Sequence, residues 1–540
     1  MKKGIITKAG LFICWMVFSA AAIGQSNSQP MPRLIEKEGR HALLVDGEPF
    51  LILGGQAHNS SAWPGMLPQV WTSIKAMNAN TLEVPLYWEQ IEAKQGKYDF
   101  SIIDTLLVQA REHKVRLVLL WFATWKNGSN HYMPEWMKMD SKKYPNITGK
   151  DGKPVDSPSP HTQAALELDA KAFAQVMKYL KKADPQHTVI MVQVQNEPGA
   201  WGSVRDYSPE AQKMFEAQVP AALLQPEVLK ALNKPVVTKG SWQQVFGNDA
   251  DEYFHAWSVA AYIEQVAKAG RAENELPLYV NVALRDPLTN PSANTYESGG
   301  ATDNVIPIWK AAAPTIEILA PDIYLQGSDK VLKVLDLYDR PDNALFVPEI
   351  GSNEENSKYF YSVLSHGGIG FSPFGIDDNG EGETLEQTEA RLSYVGKEYA
   401  MAAPMMRELA KWSFEGKIKS VVEHEDHASQ TIDLGSWQAI VNFSPSGRRT
   451  EQNNTRPLGR AMVVQLGENE FILIGSLCHF TFKPLGANEG KAWQYLKVDE
   501  GSYENGMFKV LRTLNGDETD FGGPRLGVKP VVLRTTLVVR

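Results

Sequence analysis

At 540 residues the chain exceeds one ordinary domain and suits a large barrel with a smaller partner. Hydrophobic residues at 43% and charged residues at 22% are the balance of a soluble globular protein. The formal net charge of −9 argues against nucleic acid or an anionic membrane as the main partner, since either would select a basic face.

The chain opens with Met1-Lys2-Lys3 and Lys8, then an apolar stretch from Leu11 to Ile23. Ala22-Ile23-Gly24 fits a small-residue cleavage site, so residues 1–24 are read as a signal peptide. The stretch is too short to span a bilayer comfortably, so no membrane anchor is expected and the protein is placed in the periplasm or outside the cell. Cleavage would remove Cys14 and leave Cys478, in the run Phe471-Ile472-Leu473-Ile474-Gly475-Ser476-Leu477-Cys478, as a buried structural thiol.

Residues 32–415 alternate strand-like and helix-like segments. Strands are predicted at 50–54, 81–86, 116–122, 188–195, 278–284, 316–323, 344–349 and 368–374. Amphipathic helices are predicted at 101–113, 164–182, 253–269 and 330–338, with a closing helical stretch at 385–409. Eight β-then-α units predict a closed (β/α)8 TIM barrel rather than an open doubly wound sheet. No Gly-x-Gly-x-x-Gly or Gly-Lys-Ser/Thr loop follows any strand, which removes the main ground for a nucleotide cofactor. Long inserts follow the third and fourth strands, at 126–162 and 202–251. They are read as walls of the strand-end face or as packing surfaces for a neighbouring domain. From residue 416 to 540 the texture becomes short alternating strands with turns, predicting a C-terminal antiparallel β-sandwich in which 446–456 is a loop.

The fourth strand ends in Asn196-Glu197-Pro198-Gly199, and the seventh ends in Pro348-Glu349-Ile350-Gly351. Ends of parallel strands form the reactive face of a barrel, and proline stops the ladder there. A single strand-end glutamate is most often a capping or salt-bridged residue. Two at matching ends, three barrel strands apart, instead suggest the paired carboxylates of a glycosidase, one acid and one nucleophile or base. Asn196 is positioned to hydrogen-bond a sugar 2-hydroxyl, and Tyr324, at the end of the sixth strand, to hold Glu349 ionised. Asp322 reads as a turn or structural residue. The histidines lie in unrelated contexts with no His-Glu-x-x-His or cysteine cluster, so no metal or other cofactor is called for.

Asn-Glu on the fourth strand and Glu on the seventh resemble the retaining (β/α)8 glycosidases of clan A. Within that clan the chain is similar to glycoside hydrolase family 35, the β-galactosidases, in its bacterial branch with an extra C-terminal β-domain. The resemblance is carried by Val192-Gln193-Val194-Gln195-Asn196-Glu197-Pro198-Gly199, Glu92-Ala93-Lys94-Gln95-Gly96-Lys97-Tyr98-Asp99-Phe100 and Leu53-Gly54-Gly55-Gln56-Ala57-His58-Asn59. It implies Glu197 as general acid/base, Glu349 as nucleophile, a carbohydrate substrate and an exo-acting retaining β-galactosidase. Two family elements are altered. Pro85-Leu86-Tyr87-Trp88-Glu89 stands for Tyr-x-x-Trp-Asn. Phe122-Ala123-Thr124-Trp125-Lys126-Asn127-Gly128 replaces the element whose glutamate grips galactose, leaving Trp125, Lys126 and Asn127 as substitute recognition groups. His58 and Asn59 are further candidates for substrate contact, and Trp88, Trp121, Trp125 and Trp201 read equally as core or as sugar platforms. Two rival readings stay open: another clan A glycosidase, and a carbohydrate-binding protein that keeps the fold without the reaction. The sequence leaves oligomeric state open.

Overall fold

The computed structural model describes Met1 and residues 29–377, 382–443 and 456–540. The leader read at residues 1–24 and the loop read at 446–456 therefore lie outside the described residues, apart from their end members Met1 and Arg456.

Eight parallel strands close into a barrel: β1 Ile52–Gln56, β2 Thr81–Tyr87, β3 Arg116–Lys126, β4 Val189–Asn196, β5 Leu278–Ala283, β6 Ile318–Ile323, β7 Val347–Ile350 and β8 Gly370–Pro373. They follow one another around the ring, with β8 pairing β1, as expected from the alternating pattern. All residues of β2 and β4 are buried, because parallel strands covered by helices on one side and filled on the other have no wet face. The two longest helices, Gln163–Ala183 and Ala250–Glu273, pack together outside β3 and β4.

One irregularity positions the mouth of the barrel. Along the β3–β4 pair, Trp121 is opposite Val194, yet Lys126 is opposite Asn196, so β3 carries three extra residues over that span. The bulge carries Lys126, Asn127 and Gly128 round the tip of β4. There Asn127 N donates to Asn196 O (3.2 Å) and Gly128 N to Glu197 O (3.0 Å).

Ahead of the barrel lies a three-stranded antiparallel sheet, Arg33–Lys37, Arg40–Val45 and Glu48–Phe50, which the periodicity does not announce. Its two-residue turns, Glu38-Gly39 and Asp46-Gly47, have positive φ throughout (54° and 76°; 59° and 84°), the backbone that tight hairpins require. Arg407 holds this sheet by donating to the carbonyls of Val45, Glu48 and Pro49.

The chain leaves the barrel through helices Leu385–Ala402 and Met406–Phe414, and Gly416 (φ 68°) turns it into the strand Ile418–Val422. Two antiparallel sheets follow, of six and four strands. The six-stranded sheet is apolar on both faces, and alternation sorts its residues. Met462, Val464, Ile472, Ile474 and Val532 join the continuous core of the barrel, whereas Ala461, Val463, Phe471, Leu473 and Leu533 face the four-stranded sheet. Among the described residues no helix is long and apolar enough to cross a membrane.

A buried ion pair locks the sheet to the barrel. Arg460 donates through Nε (3.0 Å) and Nη2 to Glu398 Oε1, and Tyr361 donates to Glu398 Oε2 (2.7 Å). Removing one member of such a pair strands a buried charge, at a cost of about 3–5 kcal/mol. Arg460→Met is therefore expected to lower the guanidinium unfolding midpoint clearly, with a smaller loss in the double variant Arg460→Met/Glu398→Gln. Equal midpoints for wild type and Arg460→Met would show that the pair does not anchor the sheet.

Candidate active site

The tip of β4 is bent into an unusual backbone. Gln195 and Glu197 both have positive φ (67° and 42°), a left-handed conformation that costs a non-glycine residue about 1–3 kcal/mol. Side chains from neighbouring elements hold it. Gln195 Nε2 donates to Asp169 Oδ2 (2.6 Å), while Gln195 Oε1 accepts from Trp125 N (3.0 Å). Asp169, on the helix behind, also accepts from Trp121 Nε1 (2.9 Å) and Thr124 Oγ1 (2.5 Å). Burial pushes its carboxyl up to about 6 in spite of these bonds. Glu197 N, in turn, donates to Asn281 Oδ1 on β5 (2.9 Å).

Around the ring, β6 and β7 run in register with Asp322 beside Glu349. Tyr324 Oη donates to Glu349 Oε1 (2.7 Å), and Gln56 Nε2 donates to Glu349 Oε2 (3.1 Å). Asn281 Nδ2 donates to Asp322 Oδ2 (2.6 Å), so one amide on β5 ties the backbone of Glu197 to the side chain of Asp322. A fourth acid, Glu297, comes from the loop after β5 and is buried.

Burial dominates the electrostatics. Glu197 and Glu349 are 8% and 5% exposed. Burial first, and then the charge of Glu349, pushes the Glu197 carboxyl up to about 7, while Lys126 and a hydrogen bond with Asp322 pull the other way. Asp322 and Glu297 are held well above the usual carboxylate range, again chiefly by burial, with Lys126 opposing. Burial and the adjacent Glu349 also drive the Tyr324 phenol upward, so it stays a donor. The site thus contains a carboxyl that keeps a proton near neutrality and, close by, one whose two oxygens face two donors. That combination supports proton transfer from one group with nucleophilic or base action by the other.

Several polar atoms at the mouth are buried without a protein partner: both amide atoms of Asn196, both oxygens of Glu297, Gln56 Oε1, Asn59 Oδ1, Asp322 Oδ1 and Asp377 Oδ2. Native interiors leave few such atoms, and a concentration of them beside a proton-holding acid marks a place built for a polar ligand. Among the described residues no group of three or more His, Cys, Asp or Glu is arranged to hold a metal ion.

The residues singled out from sequence separate into distinct places. Glu197, Glu349, Asn196 and Tyr324 meet at the mouth, and Tyr324 is 51% exposed. Asn127 is exposed on the rim, accepting from Lys126 Nζ. His58 N donates to Asp377 Oδ1 (2.9 Å), and its ring lies 5.5 Å from that of Phe374. The main-chain oxygen of Asn59 accepts from Tyr87 (2.7 Å) and Tyr132 (3.2 Å). Trp125 lies deeper than a rim recognition group: its ring is fully buried, edge-on to Tyr262 at 4.8 Å, and its Nε1 has no protein partner. Trp88 and Trp121 are likewise core, whereas Trp201 is 52% exposed. Asp322, read as a turn or structural residue, lies within strand β6 rather than in a turn; there its bond from Asn281 is structural and its carboxyl joins the cluster.

Three residues of the site escape a reading by motif. Gln56 lies within the first-strand segment already noted, as an amide at a strand end. Asn281 is a lone polar residue inside the apolar strand β5, a signal in itself. Glu297 carries no local signal, because its loop is polar throughout.

Residues 63–259 match the family model of glycoside hydrolase family 42, described as "Beta-galactosidase", and residues 395–523 match a "Domain of unknown function (DUF5597)". The match supports a clan A β-galactosidase-like barrel and does not single out family 35, the family expected from the motifs. Among curated relatives, the chain is 25% identical over 177 residues to a β-galactosidase of Xanthomonas manihotis, covering 32% of this chain and 27% of that protein. It is 30% identical over 104 residues to β-galactosidase 11 of Arabidopsis thaliana, covering 18% and 12%. The matched stretches thus span about a quarter and an eighth of these relatives. Similar solved structures include a β-galactosidase of Bacillus circulans (TM-score 0.47, 14% identity, 65% of this chain and 56% of that one). Another is the catalytic domain of a β-amylase of Paenibacillus polymyxa (TM-score 0.47, 12% identity, 64% and 97%).

Asn281→Ala would leave a backbone N–H and a buried carboxyl oxygen unpaired, each worth about 1–3 kcal/mol. A lowered denaturation midpoint is the expected result, and an unchanged midpoint would show that Asn281 does not hold the site together.

Proposed function

We propose that the chain is a retaining β-glycosidase, and specifically a β-galactosidase releasing terminal galactose. The observation that carries the reaction type is the pairing of Glu197, whose carboxyl holds its proton up to about 7, with Glu349, whose oxygens face Tyr324 and Gln56. In the first step a Glu349 oxygen attacks the anomeric carbon and the glycosidic bond breaks. The departing oxygen takes the proton of Glu197, leaving a glycosyl ester on Glu349. In the second, the Glu197 carboxylate removes a proton from water as its oxygen attacks the same carbon, which frees Glu349 and reprotonates Glu197. The unpaired amide of Asn196 is available to the sugar 2-hydroxyl, where a contact strengthens as charge develops. No step requires a metal or an organic cofactor.

The choice of galactose rests on the family-42 match over residues 63–259, which also favours family 42 over family 35 within the clan. The apolar leader pattern of residues 1–24 supports action in the periplasm or outside the cell.

Chromogenic β-galactosides should be turned over in preference to β-glucosides and β-glucosaminides, and no galactoside turnover would overturn the sugar assignment. Glu349→Ala is expected to lower kcat by roughly 10³-fold or more, and added azide should restore turnover with a glycosyl azide as product. Full activity in that variant would move the nucleophile elsewhere.

The pH dependence follows from Glu197. Its raised carboxyl is protonated below about 7, and that form is lost as pH rises through this value. For substrates with poor leaving groups kcat/KM should therefore fall above pH about 7, approaching tenfold per unit. In Lys126→Met the opposing positive charge is gone, so the fall should move to higher pH. A fall that begins near pH 5 in wild type would exclude Glu197 as the acid.

A further inference from the structure

Of Trp88, Trp121, Trp125 and Trp201, the last is the one left in the open. It follows Glu197 by four residues, and its neighbours are rigidly held. Ala200 N donates to Ser298 O (2.8 Å) and Ser298 N to Ala200 O (3.0 Å), stitching the segment after β4 to the loop after β5. Ser298 Oγ donates to Val204 O (2.7 Å), and Ser157 Oγ donates to Gly199 O (2.7 Å).

Glu297 completes the mounting. Its side chain lies so close to two glycines that a Cβ on Gly128 would come 2.5 Å from Glu297 Oε1, and one on Gly199 would come 2.8 Å from Glu297 Cγ. Those glycines flank the backbone of Glu197, since Gly128 N bonds Glu197 O. Burial holds the Glu297 carboxyl high, Trp201 is near enough to oppose that, and both carboxyl oxygens are without a protein hydrogen-bond partner. An indole 52% exposed, next to the Ala200–Ser298 stitch, presents a flat apolar face to solvent.

Chemistry assigns a direction to that face. Glu349 attacks the anomeric carbon from one side, and Glu197 protonates the oxygen leaving on the other, so the leaving group lies on Glu197's side of the mouth. A ring beside the acid suits a partner with an apolar face and hydroxylated edges, which describes a sugar. Building on the proposed glycosidase reading, we propose that Trp201, positioned by Glu297, is the platform on which the leaving sugar stacks, so that the substrates are galactosides of other sugars rather than of simple alcohols.

Two substrates separate this role from a structural one: lactose or its best-cleaved linkage isomer, and β-galactosyl fluoride, whose leaving group has no ring to stack. Trp201→Ala should lower kcat/KM for the disaccharide roughly tenfold or more while leaving the fluoride within about threefold of wild type, and Trp201→Phe should recover much of the loss. Glu297→Ala should lower disaccharide turnover more than fluoride turnover, over and above any loss common to both substrates through Glu197. If Glu297→Ala does not fold, the exposed Trp201 variants decide alone. Equal losses on both substrates, or none on the disaccharide, would overturn the proposal. A wild-type protein that hydrolyses the fluoride but no disaccharide would overturn it while sparing the hydrolase reading. Activity on neither substrate would end both.

Discussion

Glu197, Asp322, Glu349 and Glu297 share one water-poor mouth, and Lys126 is the cation that acts on three of them. Burial first, and the neighbouring like charges second, push the carboxyls of Glu197, Asp322 and Glu297 upward. Tyr324 and Gln56 both point at Glu349, while Asn281 serves one oxygen of Asp322. Glu197 holds its proton up to about 7 because of burial and then the charge of Glu349. The two glutamates are thus set apart by their surroundings, since Glu349 faces two donors, and not by any difference in the side chains themselves.

This arrangement depends on backbone placed where it would not settle alone. The left-handed Gln195 and Glu197 are held by the Asp169 network behind them and by Asn281 beside them. The bulge in β3 then brings Lys126 and Gly128 against the same tip. Precision at the mouth is thus supported from the helix layer, and the strain at β4 is offset by buried hydrogen bonds that Gln195 and Glu197 themselves make to Asp169, Trp125 and Asn281. The C-terminal sheets contribute at another level. Their inner face shares the barrel core, and the Arg460–Glu398 pair fixes their attachment.

Much of the fold was legible locally. The eight barrel strands appear within a few residues of their apolar runs, since strands covered on both sides must be apolar and turn residues bound them. The N-terminal hairpins and several C-terminal strands, such as Gln430–Asp433 and Met507–Thr513, were not, because short or exposed strands lack that apolar signature. Trp125 shows the converse difficulty. Its place beside a loop suggested a recognition group, but β3 runs four residues farther than its apolar core implied and carries the ring inward.

By itself the sequence determined the barrel and the presence of Glu197 and Glu349 at matching strand ends, because strand period and strand termination are local properties. Only the tertiary structure decided that Asp322 joins the acids, that Asn281 ties two of them together, that Glu297 arrives from a polar loop, and that Trp201 is exposed while Trp88, Trp121 and Trp125 are core. These are meetings between residues distant in the chain. Their partners depend on a three-residue bulge and on the paths of two loops, and no period in the sequence encodes either.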